Sequence, residues 1–378
     1  INRSLSCSEA KAKAIHTEFI RFIEGYVPTE RGTEFKELLE KTLKDTYEFE
    51  IGEAEKFDAD VPIELRNNKL IEPFDGIVKT YSLPRYYEKD PTPQLMPWFM
   101  IFFGLMLGDF GYGLIMFIGT TLMLKLFNLK KSLAMNIKFF QILSIPTMIS
   151  GLIFGSFFGG LIQIPGLFDP TKNYMLMLII SVVIGVVNIL CGLALGAAKA
   201  VRNGDPMAAL YDFGFWYMIL IGLGLYGLAS PLSLSATVEK AGAVIAIVGA
   251  IGVVLFSARE NKGFGRYTWG LYNLYGVTSY IGDIVSYTRI AALMLSGAYI
   301  GYSGNLICGM LVKGGPAGIV GGVLVVIFFH LFNMFLSGLS GYVHSMRLIY
   351  VEFFGKYYEG GGVPFIGLEP EATYIELK

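Results

Sequence analysis

Long apolar stretches alternate with short polar connections beyond the first quarter of the chain. A transmembrane helix needs about 20 apolar residues to cross a hydrocarbon layer about 30 Å thick. The first stretch is too long for one span, because its thirty-odd residues would measure about 50 Å as a helix. A turn pattern at Gly108–Gly113 also interrupts it. We therefore divide it into a short hairpin, 94–108 and 113–127, and predict eight transmembrane helices. The stretches are 94–127, 137–162, 174–198, 211–230, 241–257, 267–303 and 317–351.

The last two stretches are long for simple spans and fit strongly tilted helices. Basic residues indicate the orientation, because Lys and Arg are enriched in cytosolic loops. With eight spans and a cytosolic N-terminal region, most loop cations lie in the cytosol, whereas seven spans would reverse this bias. The sequence thus predicts an all-α polytopic membrane domain with both termini cytosolic. The cytosolic cations are Lys125, Lys130, Lys131, Lys138, Lys199, Arg202, Arg259, Lys262 and Arg266, and the opposite ones are Lys172, Lys240 and Lys313.

The segment before the first span has the pattern of a mixed α+β region. Apolar periodicity predicts helices over 6–24 and Thr33–Leu43, and alternation predicts a strand over Thr46–Ile51. A proline-punctuated stretch, 61–84, then leads to Asp90-Pro91-Thr92-Pro93. We expect residues 1–92 to form part of a cytosolic arm, 93–357 the membrane domain and 358–378 a cytosolic tail. The abrupt start without Met predicts that an upstream half of the arm is absent from this sequence.

Composition supports a membrane protein with an acidic soluble segment. The chain is 53% hydrophobic and 16% charged, against about 25% charged for soluble domains. Residues 1–96 hold 14 basic and 19 acidic side chains, and the remainder holds 16 and 12. No basic face for nucleic acid is present. Cys7, Cys191 and Cys308 lie too far apart for a zinc or disulfide motif, so we expect no metal and no cofactor.

The seventh predicted span contains a charged residue far from either end. Arg289 lies in an apolar helix, where a charge costs at least about 2.5–3.5 kcal/mol on insertion scales and usually marks an ion or substrate path. Helical spacing puts polar residues on the same face, namely Ser279, Asp283, Ser286, Ser296 and Ser303.

The eighth predicted span carries a longer polar stripe. Six residues follow at steps of three and four on a helix otherwise built from apolar residues and glycine. Packing between helices would explain isolated serines well, but it explains two intramembrane arginines poorly. An unpaired buried cation needs an anion, and a carboxylate arriving from another subunit would supply one. The stripe consists of His330, Asn333, Ser337, Ser340, His344 and Arg347.

At these residues the sequence resembles the membrane stator subunit of vacuolar- and archaeal-type rotary ATPases, subunit a or, in bacteria and archaea, subunit I. The resembling stretches are Asp90–Pro93 running into Phe102–Gly113, Ser286–Leu293, and His344–Gly362. The resemblance implies a subunit that offers two ion half-channels to a rotating ring of c subunits, with Arg289 and Arg347 between them. It also implies a cytosolic arm that binds peripheral stalks and the soluble ATPase head, in a bacterial or archaeal plasma membrane. The ion would be H⁺ or Na⁺.

The half-channel candidates are polar residues chosen by face and depth in the last two spans. Eukaryotic relatives carry a glutamate ten residues before the second arginine, where this chain has Ser337, so Glu352 or Asp283 is expected to serve instead. The full set is Asp283, Ser286, Ser296, His330, Asn333, Ser337, Ser340, His344 and Glu352.

Two other classes of function compete with a rotary stator. A secondary ion transporter with a midplane charged site is the main alternative, although the sequence lacks an inverted repeat. A membrane hydrolase using Asp109 and Asp283 is disfavoured, because their sequence contexts differ. The chain is not expected to be an enzyme by itself, since it has no GxxxxGK[ST] motif for ATP. A stator should copurify with small ring subunits and a soluble ATPase, whereas a transporter should purify alone.

Overall fold

A computed structural model describes residues 15–16, 20–43, 47–55, 57–58, 60–162, 164–170, 172–229, 235–257 and 265–365. The chain forms two compact units. The first combines Ile1–Arg66, Ser82–Asp90 and Gly360–Lys378, and the second combines Asn67–Tyr81 with Pro91–Glu359. These boundaries differ from the predicted ranges 1–92, 93–357 and 358–378, which stay a prediction about where the membrane begins and ends.

The described part of the first unit contains short strands and one α-helix. Strands β1 (Ile15–His16) and β2 (Arg21–Phe22) pair antiparallel. A 3₁₀ turn at Thr29–Arg31 leads into helix α1 (Gly32–Leu43). Strand β3 (Pro62–Ile63) pairs in parallel with β4 (Val363–Pro364) from the other end of the chain.

These elements confirm one prediction for the N-terminal region and overturn two. The helix predicted at Thr33–Leu43 is confirmed as α1. The helix predicted over 6–24 is wrong where the structure describes it, because β1 and β2 pair there as antiparallel strands. The β-branched and aromatic residues of this stretch satisfy a period of two as well as a helical one. The strand predicted over Thr46–Ile51 does not form at 47–51, and residues 44–46 lie outside the described residues.

The second unit is almost entirely helical. A 3₁₀ turn (Glu72–Phe74) and helix α2 (Asp75–Tyr81) precede the long helices. Phe74 is fully buried, with its ring 4.9 Å from that of Phe139. The following helices are α3 (Thr92–Leu107), α4 (Phe110–Leu126), α5 (Lys131–Phe154), α6 (Tyr174–Arg202), α7 (Phe215–Ala229), α8 (Ala236–Phe256), α9 (Gly265–Leu274), α10 (Val277–Ser286), α11 (Thr288–Val312) and α12 (Pro316–Arg347).

Irregular helical turns extend two of these elements. A single α turn (Pro206–Ala208) and a π-helical segment (Ala209–Gly214) lead into α7. A π-helical segment (Leu348–Phe353) and a 3₁₀ turn (Phe354–Lys356) continue α12. In the described part of the chain, six helical stretches are long and apolar enough to cross a membrane, while α3 and α4 are shorter apolar helices. The protein is thus an all-α multi-pass membrane protein in this region, and the count of eight spans stays a prediction.

The hairpin predicted within the first apolar stretch forms, but its turn is shorter than predicted. Only Gly108 and Asp109 separate α3 from α4, and the predicted turn residues 110–113 lie in helix. Gly108 has φ +45°, a left-handed conformation that favours glycine. Asp109 caps α4 by accepting a hydrogen bond from the Tyr112 backbone N–H at 3.1 Å. The glycine pattern that suggested a long turn instead permits close packing, since a Cβ on Gly113 would meet Met148 at 2.8 Å.

The seventh apolar stretch is not one uninterrupted helix, contrary to the prediction. It divides into α9, α10 and α11, with breaks at Tyr275–Gly276 and at Tyr287. Three-residue hydrogen bonds mark the second break, because Tyr287 N donates to Ile284 O and Ile290 N donates to Tyr287 O. The eighth stretch does form a long helix, α12.

Candidate functional site

Tyr287 fixes the break that immediately precedes Arg289. Its side chain is fully buried, and its hydroxyl donates a 2.6 Å hydrogen bond to Asn188 Oδ1 on α6. Gly185, one helical turn earlier on α6, leaves room for the ring, because a Cβ there would lie 2.4 Å from Tyr287 Cγ. The start of α11, and with it the backbone of Arg289, is therefore held against α6.

The two arginines lie together with one acid and one histidine. Arg289 is within electrostatic range of Arg347 and Glu352, and His344 is within range of both arginines. Glu352 is 2% exposed and projects from the π-helical segment after α12. Sequence spacing placed His344 and Arg347 on one stripe, and the fold adds Glu352 to them.

Several polar atoms of this cluster are buried without a hydrogen-bond partner. They are Nη1 of Arg289, Nδ1 of His344 and Oε2 of Glu352. Neither arginine forms an ion pair with any residue that the structure describes. Buried polar groups are normally satisfied by protein or by ordered water. The cluster therefore has the hydrogen-bonding capacity to hold water or an incoming group.

Asp283 is paired elsewhere than expected. Its Oδ2 lies 2.5 Å from Nζ of Lys356, and the two side chains are only 17% and 12% exposed. The same ammonium lies 4.1 Å from the centroid of the Tyr280 ring. Helical spacing put Asp283 on the same face as Arg289, which made it a candidate acid beside the arginine. The structure instead places Glu352 near Arg289, because the π-helical turns after α12 bring it back beside α11.

The serine candidates occupy different environments. Ser286 donates to the Gly282 carbonyl at 3.1 Å and also lies within hydrogen-bonding reach of Glu352. Ser296 is exposed on α11, and Ser340 is partly exposed on α12. Only Ser286 is thus brought to the acid and the arginine.

The N-terminal half of the polar stripe on α12 forms a separate hydrogen-bond network around Tyr112. The Tyr112 hydroxyl lies 2.7 Å from His330 Nδ1 and accepts a 3.0 Å hydrogen bond from Asn333 Nδ2. Asn333 also donates to the Gly297 carbonyl at 2.8 Å, and Ser337 donates to Asn333 Oδ1 at 3.1 Å. His330 and Asn333 are 8% and 0% exposed, respectively.

The partners of His330 determine its tautomer. Asn305 uses its Nδ2 to donate to the carbonyls of Phe158 and Gly159, so its Oδ1 accepts from His330 Nε2–H at 2.9 Å. In the neutral tautomer with hydrogen on Nε2, His330 Nδ1 accepts a hydrogen bond from the Tyr112 hydroxyl. Asp109 completes the network by accepting from Ser156 Oγ at 2.7 Å and from two backbone N–H groups of the same loop.

The predicted stripe therefore divides into two parts with different properties. His330, Asn333 and Ser337 are hydrogen-bonded inside the chain, whereas His344 and Arg347 lie beside unsatisfied groups. Sequence reasoning did not assign Tyr112, Asn305 or Lys356 to either part. The signal for them was weak, because each is a single polar residue in an apolar or terminal stretch. Among the described residues, no group of three His, Cys, Asp or Glu side chains could hold a metal ion.

Comparisons with known proteins identify relatives of this chain. Residues 12–163 match the model of the V-type ATPase 116kDa subunit family. The chain is 31% identical to A-type ATP synthase subunit I of Pyrococcus horikoshii over 96% of its length and 55% of the relative. Identity is 28% to the same subunit of Methanocaldococcus jannaschii, over 95% of this chain and 56% of the relative. Identity is 29% to V-type ATP synthase subunit I of Borreliella burgdorferi, over 89% of this chain and 58% of the relative. The chain spans about half the length of these relatives, and over nearly all of its own length it is similar to subunit I of archaeal and bacterial A-type and V-type ATP synthases.

Proposed function

We propose that this chain is the stator part of a rotary V/A-type ATPase that guides ions past a rotating c-ring. Arg289 and Arg347 face the ring carboxylates, and two half-channels carry H⁺ or Na⁺ to and from them. Ion movement is thereby coupled to ATP hydrolysis or synthesis elsewhere in the complex. The observation that carries the proposal is a pair of adjacent arginines with no ion-pair partner in the described part of the chain.

Electrostatics explains what such a pair does. A carboxylate at 4 Å from a guanidinium gains about 4 kcal/mol at an effective dielectric constant of 20. A ring carboxylate that arrives with a bound cation would exchange that cation for the arginine. The arginine also prevents cations from passing directly between the two half-channels. Glu352 lies near Arg289, but the buried Nη1 of the guanidinium still has no hydrogen-bond partner in the described part of the chain.

The exposed surface of α12 is consistent with a c-ring that packs against this helix. Its stretch is the least buried of the six candidate spans, at 17% against 22 to 44% for the others. Arg347 lies on one exposed row at four-residue spacing, and apolar residues form the rest of that row. An exposed apolar row that winds along α12 and ends in one cation fits a ring of hydrophobic helices that carry single carboxylates. The apolar members are Val323, Ile327, Leu331, Phe335, Leu339 and Val343.

The two parts of the polar stripe suggest two routes. We assign Asp283, Ser286, His344 and Glu352 to the cytosolic half-channel. We assign Ser296, His330, Asn333, Ser337 and Ser340 to the opposite one, where the closed Tyr112 network must exchange hydrogen bonds to conduct. Eight spans with both termini in the cytosol, including the α3–α4 hairpin, complete the proposed topology.

The proposed partners follow from the same role. The arm in residues 1–92 binds peripheral stalk subunits and the soluble ATPase head, and the chain itself binds no nucleotide or nucleic acid. The relatives are archaeal and bacterial proteins, which supports a plasma-membrane location. Their names support a subunit of an ATP synthase over a transporter that works alone.

Arg289→Ala tests the proposal. We expect the whole complex to assemble and copurify, but ATP-driven ion uptake into vesicles should be abolished. Lys313→Ala, an exposed cation at the far end of α11, is the matched control and should transport normally. Normal uptake by the Arg289→Ala complex would remove Arg289 from the mechanism.

A further inference from the structure

A cavity adjoins the end of α12. It has a volume of about 340 Å³, and its walls come from the end of α6, the π-helical segment before α7 and the residues that follow α12. Lys199, Asn203, Phe213 and Lys356 contribute to its lining. Since one water occupies about 30 Å³ in the liquid, this cavity has room for several waters. In the proposed orientation it opens on the cytosolic side.

Lys356 lies between this cavity and the acids beside Arg289. It is one of the residues that line the cavity, while its Nζ is 2.5 Å from Asp283 Oδ2. Asp283 is within electrostatic range of Glu352, and Glu352 is within range of Arg289. From the cavity inward, the charged groups are therefore the Lys356 ammonium, the carboxylates of Asp283 and Glu352, and the Arg289 guanidinium.

The surroundings of Asp283 leave Lys356 as its counterion. The other charged or titratable groups that face Asp283 are Glu352 on the segment after α12, Tyr280 on α10 and Tyr287 at the start of α11. Tyr280 also holds the ammonium through its ring face at 4.1 Å. No other ion-pair partner of Asp283 exists in the described part of the chain. Lys356 is thus the cation paired with Asp283 in the described part of the chain.

We propose that Lys356 is a tethered gate, a built-in cation that occupies Asp283 and that the transported cation must displace on its way between the cavity and Glu352. This rests on the proposed stator function and adds a positioning residue to it. A proton or Na⁺ arriving from the cavity competes with the ammonium for the same carboxylate oxygens. Lys356 therefore sets the ion concentration at which this side of the path loads, and it does so without contacting the ring.

The test uses the whole complex in vesicles and measures ATP-driven ion uptake against ion concentration on the cavity side. One series varies pH at fixed Na⁺, and the other varies Na⁺ at fixed pH. Lys356→Met keeps the length of the side chain but removes its charge, so Asp283 should bind the ion more tightly. The half-maximal ion concentration should fall at least about tenfold, which is one pH unit if the ion is H⁺. Lys356→Arg keeps the cation and should stay within threefold of the wild type.

Lys199→Met is the matched control. Lys199 lines the same cavity and pairs with Glu359 at 2.9 Å, away from Asp283, so its loss should leave the half-maximal concentration within twofold. A Lys356→Met complex that transports more slowly with an unchanged half-maximal concentration would overturn the gate and leave the stator role intact. Absence of ion uptake by the wild-type complex would instead count against the stator role.

If the Lys356→Met complex fails to assemble, a variant in which Asp283 and Lys356 are exchanged provides a second test. Asp283→Lys with Lys356→Asp preserves the pair but moves the cation next to Glu352 and Arg289. The gate predicts that the assembled exchange variant loses ion uptake. Wild-type uptake by the exchange variant, or failure of both variants to assemble, would overturn the proposal, since the pair would then serve only the fold.

Discussion

Gly185 is the smallest perturbation that should displace Arg289 without touching it. In Gly185→Ala the new methyl group would lie 2.4 Å from Cγ and 2.5 Å from Cδ2 of Tyr287. Such contacts force the ring to move, and the ring has no free space because it is fully buried. Its hydrogen bond to Asn188 would be strained or lost, and Arg289 lies only two residues further along.

The expected free-energy cost follows from three contributions. Overpacking of a buried site costs about 1–3 kcal/mol, and an unsatisfied buried hydroxyl–amide pair costs about 1–3 kcal/mol. Replacing glycine by alanine within a helix returns about 1 kcal/mol. The net destabilisation is therefore about 1–5 kcal/mol. A shift of about 1 Å at a reacting group can reduce a rate about 10²-fold, so ion uptake should fall more steeply than stability.

The assay compares thermal inactivation and ATP-driven ion uptake for two glycine variants in the whole complex. Gly309→Ala on α11 is the control, because a Cβ there meets nothing within 4 Å. We expect Gly185→Ala to lower ion uptake at least about tenfold while the complex still copurifies, and Gly309→Ala to match the wild type. Wild-type uptake by Gly185→Ala would refute the idea that Tyr287 positions Arg289.

Three further substitutions separate the parts of the site. Asn333→Ala should lower the free energy of unfolding by about 1–3 kcal/mol, because it leaves buried partners unsatisfied; unchanged thermal inactivation would contradict the Tyr112 network. Glu352→Gln, near-isosteric but uncharged, should abolish most ion uptake with normal assembly, whereas the exposed control Glu239→Gln should have no effect; equal uptake by both would remove Glu352 from the path. His344→Leu should slow ion uptake and change its pH profile, while His344→Gln should retain more of the rate; identical profiles in all three proteins would indicate simple packing.

Periodicity predicted the membrane helices well because each must satisfy its backbone internally and show apolar residues to lipid. The predicted stripe on α12 forms on one continuous helix, with Arg347 near its end. The breaks within the seventh stretch were not predictable in this way. Tyr275 and Tyr287 are ordinary helix residues by pattern, and the packing of Tyr287 into the space left by Gly185 is a tertiary contact with no local signal.

The partners of the polar residues were the least predictable feature. Spacing placed Asp283 six residues before Arg289, but the π-helical turns after α12 bring Glu352 to the arginine instead. The hydrogen bond between Tyr112 and His330 joins residues 218 positions apart in the chain. Side chains that meet through the packing of separate helices cannot be paired from one-dimensional patterns, even when each residue type is correctly singled out.

Disulfide cross-linking tests whether the c-ring packs against α12 and carries its carboxylates past Arg289 and Arg347. Cys7, Cys191 and Cys308 would first be replaced by Ser, and a cysteine would be placed beside the carboxylate of the ring subunit. Val343→Cys lies on the exposed row of Arg347, whereas Ser345→Cys lies on the fully buried side of α12. We expect Val343→Cys to cross-link to the ring on oxidation and to stop ATP-driven rotation, and Ser345→Cys to do neither. Absence of any cross-link from Val343→Cys in the intact complex would contradict the placement of the ring against this face.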